Sequence, residues 1–452
     1  MKKLASARIY FDPGDRKALN TIQLLAFWDS MRKWFAEKGY HLYEFDITDE
    51  PGYLPSERST IPYNPHPKLN VQKRIFEAED PFPYAYVGGD YRQLEDNLYE
   101  VHHISNGRVV FAQDAAGRHV VIKIVKGGSD EDKILHLLAK QPELMNRETF
   151  PSVIPVLDLL PCEDHWFTVM PRWDSNCFVP SFPTPEICVQ QMVSLLKGLA
   201  FLHSHRIFHR DLCDRNLLIN HFSNATVVNM TNNPFRRDLL RRGALTCVLS
   251  DFDHSILLDE ETYGPNPRLG ILEAHVTSDD PPYETLHGHV DYDPFKYDVA
   301  LLGILFNDRF QNIIKYVPLL APLIERMVTS KLDKRFTAKE ALAFAEGILP
   351  TLTDLQAPPL PVRPQIFRAY YRADLWKDLS EEFVAKWADY REDRSTLSFR
   401  FLLWLNDRVP YGTFGLYLCR LGVRAVMFVP RLIFRPFVTF SRFLVHRFNR
   451  QL

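Results

Sequence analysis

Apolar residues recur at helical intervals over residues 18–38, where Leu24, Phe27, Met31 and Trp34 share one face. Gly39 follows as a helix-ending residue, and the run 40–45 then reads as a strand. Five prolines between 51 and 67 exclude a regular helix there and predict an extended segment wrapped over a neighbouring surface. From 96 to 126 the pattern becomes strand, turn, strand, punctuated by Asn106-Gly107 and Ala116-Gly117 and closed by the β-branched run 120–125. A mainly helical block extends from there to about residue 350, including the amphipathic stretch 187–202. The proline-rich run 357–364 predicts a stiff spacer. Beyond it, Leu375, Leu379, Phe383, Trp387 and Tyr390 form an apolar stripe expected to pack on the preceding body.

Composition narrows the picture. With 46% hydrophobic and 24% charged residues over 452 positions, the chain has enough apolar mass for two or three packed units, which excludes full-length disorder. Lys plus Arg number 54 against 56 Asp plus Glu, a near-balance that gives no reason to expect nucleic acid as a partner. The charge is nevertheless uneven, because residues 408–452 hold eight arginines and no acid. Within them Arg420, Arg424, Arg431, Arg435 and Arg442 recur at intervals of four and seven among Phe, Leu, Val and Met, interrupted by Pro430 and Pro436. Two readings stay open for the segment 414–450: peripheral contact with an anionic membrane, or docking on the acidic body. The six cysteines lack C-x-x-C spacing, so neither a zinc site nor a dense disulfide framework is indicated, and reduced thiols are expected. No secretory signal and no spanning helix are read, so an intracellular, cytoplasmic location is expected, with membrane association through the tail left open.

Residues 209–216 read His-Arg-Asp-Leu-Cys-Asp-Arg-Asn, and residues 248–252 read Val-Leu-Ser-Asp-Phe. Upstream, Val120-Val121-Ile122-Lys123 ends a strand on a lysine whose β-branched surroundings demand an anionic partner. Strand alternation puts Val121 and Lys123 on one face. Glu131, Leu135 and Leu138 share a helix face, so the Glu131 carboxylate can reach inward; Glu143 is the other candidate.

Together these motifs resemble the eukaryotic protein-kinase family over roughly residues 98–347. The resemblance implies an α+β bilobal fold with a small β-rich lobe and a larger helical lobe. It divides the chain into an extension (1–95), a small lobe (96–170), a large lobe (171–350) with an insertion at 221–246, and a linker with a basic amphipathic tail (351–452). It implies ATP and Mg²⁺ as cofactors and phosphoryl transfer to a protein hydroxyl, with Asp211 handling the acceptor proton and Asn216 and Asp251 holding metal. Lys123 with Glu131 would grip phosphate, and Arg210 would receive an activation-segment phosphate on Thr277 or Ser278, unless Asp279 and Asp280 supply the charge. Gly107, Val109, Val121, Met170, Trp173 and Leu218 would line the nucleotide slot, with Met170 as gatekeeper. Asp298 would tie down the catalytic-loop backbone, and Arg335 would pair with Glu284.

The pattern departs from the family at several points. His102 and Ile104 stand where the first two glycines of the phosphate loop belong, which threatens its grip on phosphate. The metal motif ends in Asp253, giving D-F-D, where a second negative charge beside Asp251 either recruits metal or alters the turn, and Val121 adds bulk above adenine. Cys213 and Arg215 mix serine/threonine- and tyrosine-kinase features, so the acceptor class stays open with serine/threonine slightly ahead; the Cys213 thiol is expected to be inert. Arg236, Arg237, Arg241 and Arg242 in the insertion read as a solvated loop or short helix, with an acidic-substrate patch as the second option. The layout also resembles kinase-like proteins of mushroom-forming (basidiomycete) fungi, which share a Phe-Ala-Gln-Asp segment like 111–114 and the D-F-D motif. An active protein kinase leads; a pseudokinase acting as a nucleotide-binding or scaffold module is the alternative, and a small-molecule kinase is a weaker third. Oligomeric state is not indicated.

Overall fold

Alternation along the strand that ends near Lys123 organises the small lobe. The computed structural model describes residues 9, 21–45, 59–60, 80–87, 108–175, 184–222, 234–274, 281–352, 370–409 and 411–426. The wrap at 51–67, the first strand expected near 96–107 and the spacer at 357–364 therefore lie almost wholly outside the described residues. After helix α1 (Thr21–Glu37), strands β1 (Tyr40–Leu42), β2 (Val109–Asp114), β3 (His119–Lys126), β4 (Asp158–Cys162) and β5 (His165–Pro171) form one antiparallel sheet in the order β1-β2-β3-β5-β4. Helix α2 (Asp130–Leu138) leaves β3 after a short turn, with Ser129 as N-cap accepting from the Asp132 amide at 3.1 Å.

Each sheet face has its own role. Val110, Ala112, Val120, Ile122, Ile124, Phe167 and Val169 form one buried face, covered by Phe27, Trp28, Met31 and Phe35 of α1. Each buried Val, Ile, Phe or Met side chain among them contributes roughly 1.5–3 kcal/mol on burial. The buried stripe of α1 is thus displaced from the expected one, with Leu24 only half-buried. Gly39 does end the helix, at φ +87°, and turns the chain into β1. The N-terminal helix packs on this sheet and the strand after it pairs along its edge. On the opposite face, Val109 stands across from Lys123 and Val121 across from Met170, which points this row at the cleft.

Helices α3 (Pro185–Ser204), α4 (Pro294–Phe310), α5 (Leu320–Val328) and α6 (Ala338–Ile348) build the large lobe around one continuous apolar core. Gly303 of α4 sits against α5 so closely that a Cβ there would lie 2.7 Å from the Met327 Cβ. The insertion contains a short helix, Pro234–Arg241, whose Phe235 and Leu239 pack with Tyr86. Arg236 is buried, donating to His221 Nδ1 at 3.0 Å, so it is a packing element and not part of a solvated basic patch. Among the described cysteines, Cys162, Cys188, Cys213 and Cys419 are thiols. Cys247 is disulfide-bonded.

The C-terminal appendage docks on the large lobe. Leu375 is buried and Leu379, Phe383, Trp387 and Tyr390 are partly buried on the main core, as the stripe predicts. Buried Glu325 of α5 anchors it: Arg394 Nη2 donates at 3.1 Å, the Glu392 amide at 3.2 Å and Trp376 Nε1 at 3.4 Å. Helix α7 (Leu397–Arg408) and a further helix, α8, over 412–426 follow.

Candidate active site

A short β-ladder explains how residues far apart in the chain meet. Strand Leu217–Ile219 pairs antiparallel with Cys247–Leu249, in the register Leu217 to Leu249. The residues just outside that ladder are Asn216 and Ser250, joined by the Ser250 amide donating to the Asn216 carbonyl at 3.0 Å. The Ser250 hydroxyl donates to the same carbonyl at 2.9 Å. Asp251 therefore emerges beside Asn216 by backbone register, although an insertion separates them in sequence. Asp251 adopts φ +65° and Arg210 φ +69°, left-handed backbone that non-glycine residues rarely hold and that concentrates at functional sites.

The catalytic-loop backbone is fixed from beneath. Buried Asp298 accepts from the His209 amide at 2.8 Å and the Arg210 amide at 2.9 Å, with His203 Nε2 at 3.1 Å. His209 Nε2 lies 3.1 Å from the Ser250 carbonyl, linking this loop to the Asp251 segment. Asn216 Nδ2 donates to both the backbone oxygen of Asp211, at 2.8 Å, and its Oδ2, at 2.9 Å, so Asp211 is held in one orientation.

Lys123 is the junction between the lobes. Its Nζ donates to Glu131 Oε1 at 2.5 Å and to Asp251 Oδ1 at 2.6 Å. Burial alone would lower the Lys123 ammonium, but Glu131, Asp251 and Asp253 reverse this and hold it above its ordinary value. Burial would likewise raise the Asp251 carboxyl; the adjacent Lys123 and the hydrogen bond between them bring it below the usual carboxylate range. The other glutamate considered, Glu143, is exposed on a short turn at Pro142–Met145.

Asp253, read from the sequence as either recruiting metal or altering the turn, lies beside Asp211. Oxygens of Asp211 and Asp253 and a ring nitrogen of His254 lie within 4.8 Å of one another. Asn216 is hydrogen-bonded to Asp211 of this group, whose carboxylate oxygens are of the kind that suits a hard divalent cation such as Mg²⁺. Asp253 Oδ2 also pairs with Arg108 at 3.3 Å, tying the start of β2 to the segment after Asp251. The only sequence signal for this was the D-F-D-H run itself.

The remaining expected residues divide between cleft and core. Val109, Val121 and Met170 are half-buried on the cleft-facing row and Leu218 is half-buried below it. Trp173 is buried in the large-lobe core, and its indole N–H donates to the Pro83 carbonyl at 3.0 Å. Gly107, His102, Ile104, Thr277, Ser278, Asp279 and Asp280 lie outside the described residues. The Arg210 guanidinium donates to the Glu273 carbonyl. Burial first, and Asp211 second, push the Cys213 thiol up to about 11, which fits an inert side chain. Sequence reasoning missed Arg172, buried between Phe111 of the small lobe (4.0 Å to the ring centre) and Phe222 of the large lobe (4.2 Å).

Glu284 and Arg335 form a fully buried bidentate pair at 2.6 and 2.9 Å, and Arg335 also donates to the carbonyls of Thr329 and Lys296. Residues 105–262 match a family model described as protein kinase domain. The bilobal α+β fold is kinase-like, and the segment that holds Lys123, Asp211 and Asp251 is the one similar to a protein kinase domain.

Proposed function

We propose that this chain is an ATP- and Mg²⁺-dependent protein kinase acting on a protein hydroxyl, with serine or threonine ahead of tyrosine. The observation that carries the reading is the Lys123 ammonium bridging Glu131 on one side and Asp251 on the other. In this reading Lys123, oriented by Glu131, presents positive charge to nucleotide phosphate oxygens. Asp251 and Asn216 hold Mg²⁺, with Asp253 as a further oxygen donor; the bound cation supplies neutralisation of phosphate charge. Asp211 orients the acceptor hydroxyl and takes its proton as that oxygen bonds to the γ-phosphorus and the bond to the β,γ-bridging oxygen breaks, releasing ADP.

A second reading, a nucleotide-binding or scaffold module with weak turnover, is favoured by one specific contact. Arg108 pairs with Asp253 where the phosphate-covering loop joins β2, and both side chains are mostly buried. Transfer of labelled γ-phosphate from ATP to mixed protein substrates, wild type against Asp211→Asn, distinguishes the two. Transfer lost in the variant supports the kinase reading; nucleotide-induced thermal stabilisation without Asp211-dependent transfer supports the module.

A further inference from the structure

Among the described residues, nine of the twelve exposed large apolar side chains fall in α7, α8 and the turn between them. Leu397, Phe401 and Trp404 follow an i, i+4, i+7 spacing on α7, and Phe414, Leu418 and Leu421 repeat it on α8. Phe401 and Trp404 are stacked at 5.9 Å and remain more than half exposed. These helices are apolar on their inner side as well: Phe399 is buried 5.5 Å from Tyr283, and the α8 backbone closes on Gly288. The appendage is therefore docked by one face and carries a second, open one.

We propose that this open face of α7 and α8 binds the surface of an anionic lipid bilayer. Docking satisfies the inner face, so the outer stripe has no part in holding the large lobe together. Its aromatic side chains are of the type that settles at a membrane–water boundary. The sequence from 408 onward supplies eight arginines and no acid, and Arg420 is exposed beside the stripe. Among the described residues, Arg424 pairs with Asp291 of the body. An all-cationic segment repels a second copy of itself but is attracted to anionic headgroups. No helix among the described residues is long and apolar enough to cross a membrane, so the binding is interfacial.

The test is flotation of the full chain with phosphatidylcholine vesicles, with and without about 30% phosphatidylserine. Wild type is expected to float with the anionic vesicles, to stay in solution with the neutral ones, and to be released as salt is raised. The triple variant Phe401→Ser, Trp404→Ser, Leu418→Ser is expected to weaken binding roughly tenfold or more, and Arg420→Gln roughly fivefold. Quenching of Trp404 fluorescence by brominated lipid, measured as the difference between wild type and Trp404→Phe, reads the same contact without altering the fold. No flotation with anionic vesicles, or binding untouched by the triple variant, overturns the proposal. So does a stable dimer in light scattering that the triple variant disperses while vesicles are ignored.

Discussion

Removing the charge of Glu284 tests the energetics of the large lobe directly. In Glu284→Gln the Arg335 guanidinium keeps its charge inside a fully buried site and loses its bidentate partner. Breaking a buried pair from one side costs about 3–5 kcal/mol, because the surviving ion stays desolvated and uncompensated. Here the figure belongs near the lower end, since the carbonyls of Thr329 and Lys296 still accept from Arg335. For a domain of this size that corresponds to a fall in melting temperature of roughly 10 °C. Differential scanning fluorimetry at neutral pH measures it, with circular dichroism confirming that the variant still folds. The double replacement Glu284→Leu, Arg335→Met removes both charges and is expected to recover about half of the loss, the remainder reflecting carbonyls left without their donor. A single-variant loss below about 1 kcal/mol would refute the argument, since that is the value of a solvated surface pair.

Three further outcomes follow from contacts described above. Lys123→Met leaves Glu131 and Asp251 facing each other without a cation, so their protonation becomes favourable: stability of the variant, relative to wild type, should rise as pH is lowered from about 7.5 to 5.5, and transfer from ATP should fall roughly 100-fold or more. His287 is buried, its Nε2 has no hydrogen-bond partner, and burial, His289 and Arg420 lower it to about 4, with Glu284 opposing. Because the unfolded chain takes up that proton first, the contribution of His287, at most about 3 kcal/mol, is complete above pH 6.5 and is lost as pH falls toward 4; denaturant midpoints of wild type and His287→Gln should differ in pH slope over that window. Gly288→Ala should loosen α8, since φ is +58° and a Cβ would lie 2.7 Å from the Thr413 carbonyl oxygen and 2.8 Å from the Tyr417 amide; faster tryptic cleavage at Arg420 is the readout.

What was legible in the sequence was what local rules encode. Strand alternation placed Val121 and Lys123 on one face, and the first turn of a capped helix put Glu131 within reach. The roles of Asp298, Glu284 and Arg335 were likewise visible, because fixed motif order implies fixed three-dimensional neighbours. Contacts between segments with no motif relation were not. Arg108 meets Asp253 and Arg172 bridges Phe111 and Phe222 only once the lobes are assembled. The same holds for Trp173, whose place just after β5 suggested the cleft and whose indole N–H donates to Pro83 in the segment at 80–87. The insertion's Arg236 reads as surface by composition, and a single histidine, His221, turns it inward.

The layer that α1 and β1 add to the small lobe sets the limits of what can stand alone. A fragment trimmed to residues 105–262 would keep Lys123, Asp211 and Asp251, yet it would bare Val110, Ala112, Ile122, Ile124 and Phe167 to water and leave β2 with an unpaired edge. Such a piece is expected to clump instead of folding, so the smallest autonomous unit must begin before Thr21, however far from the chemistry that lies.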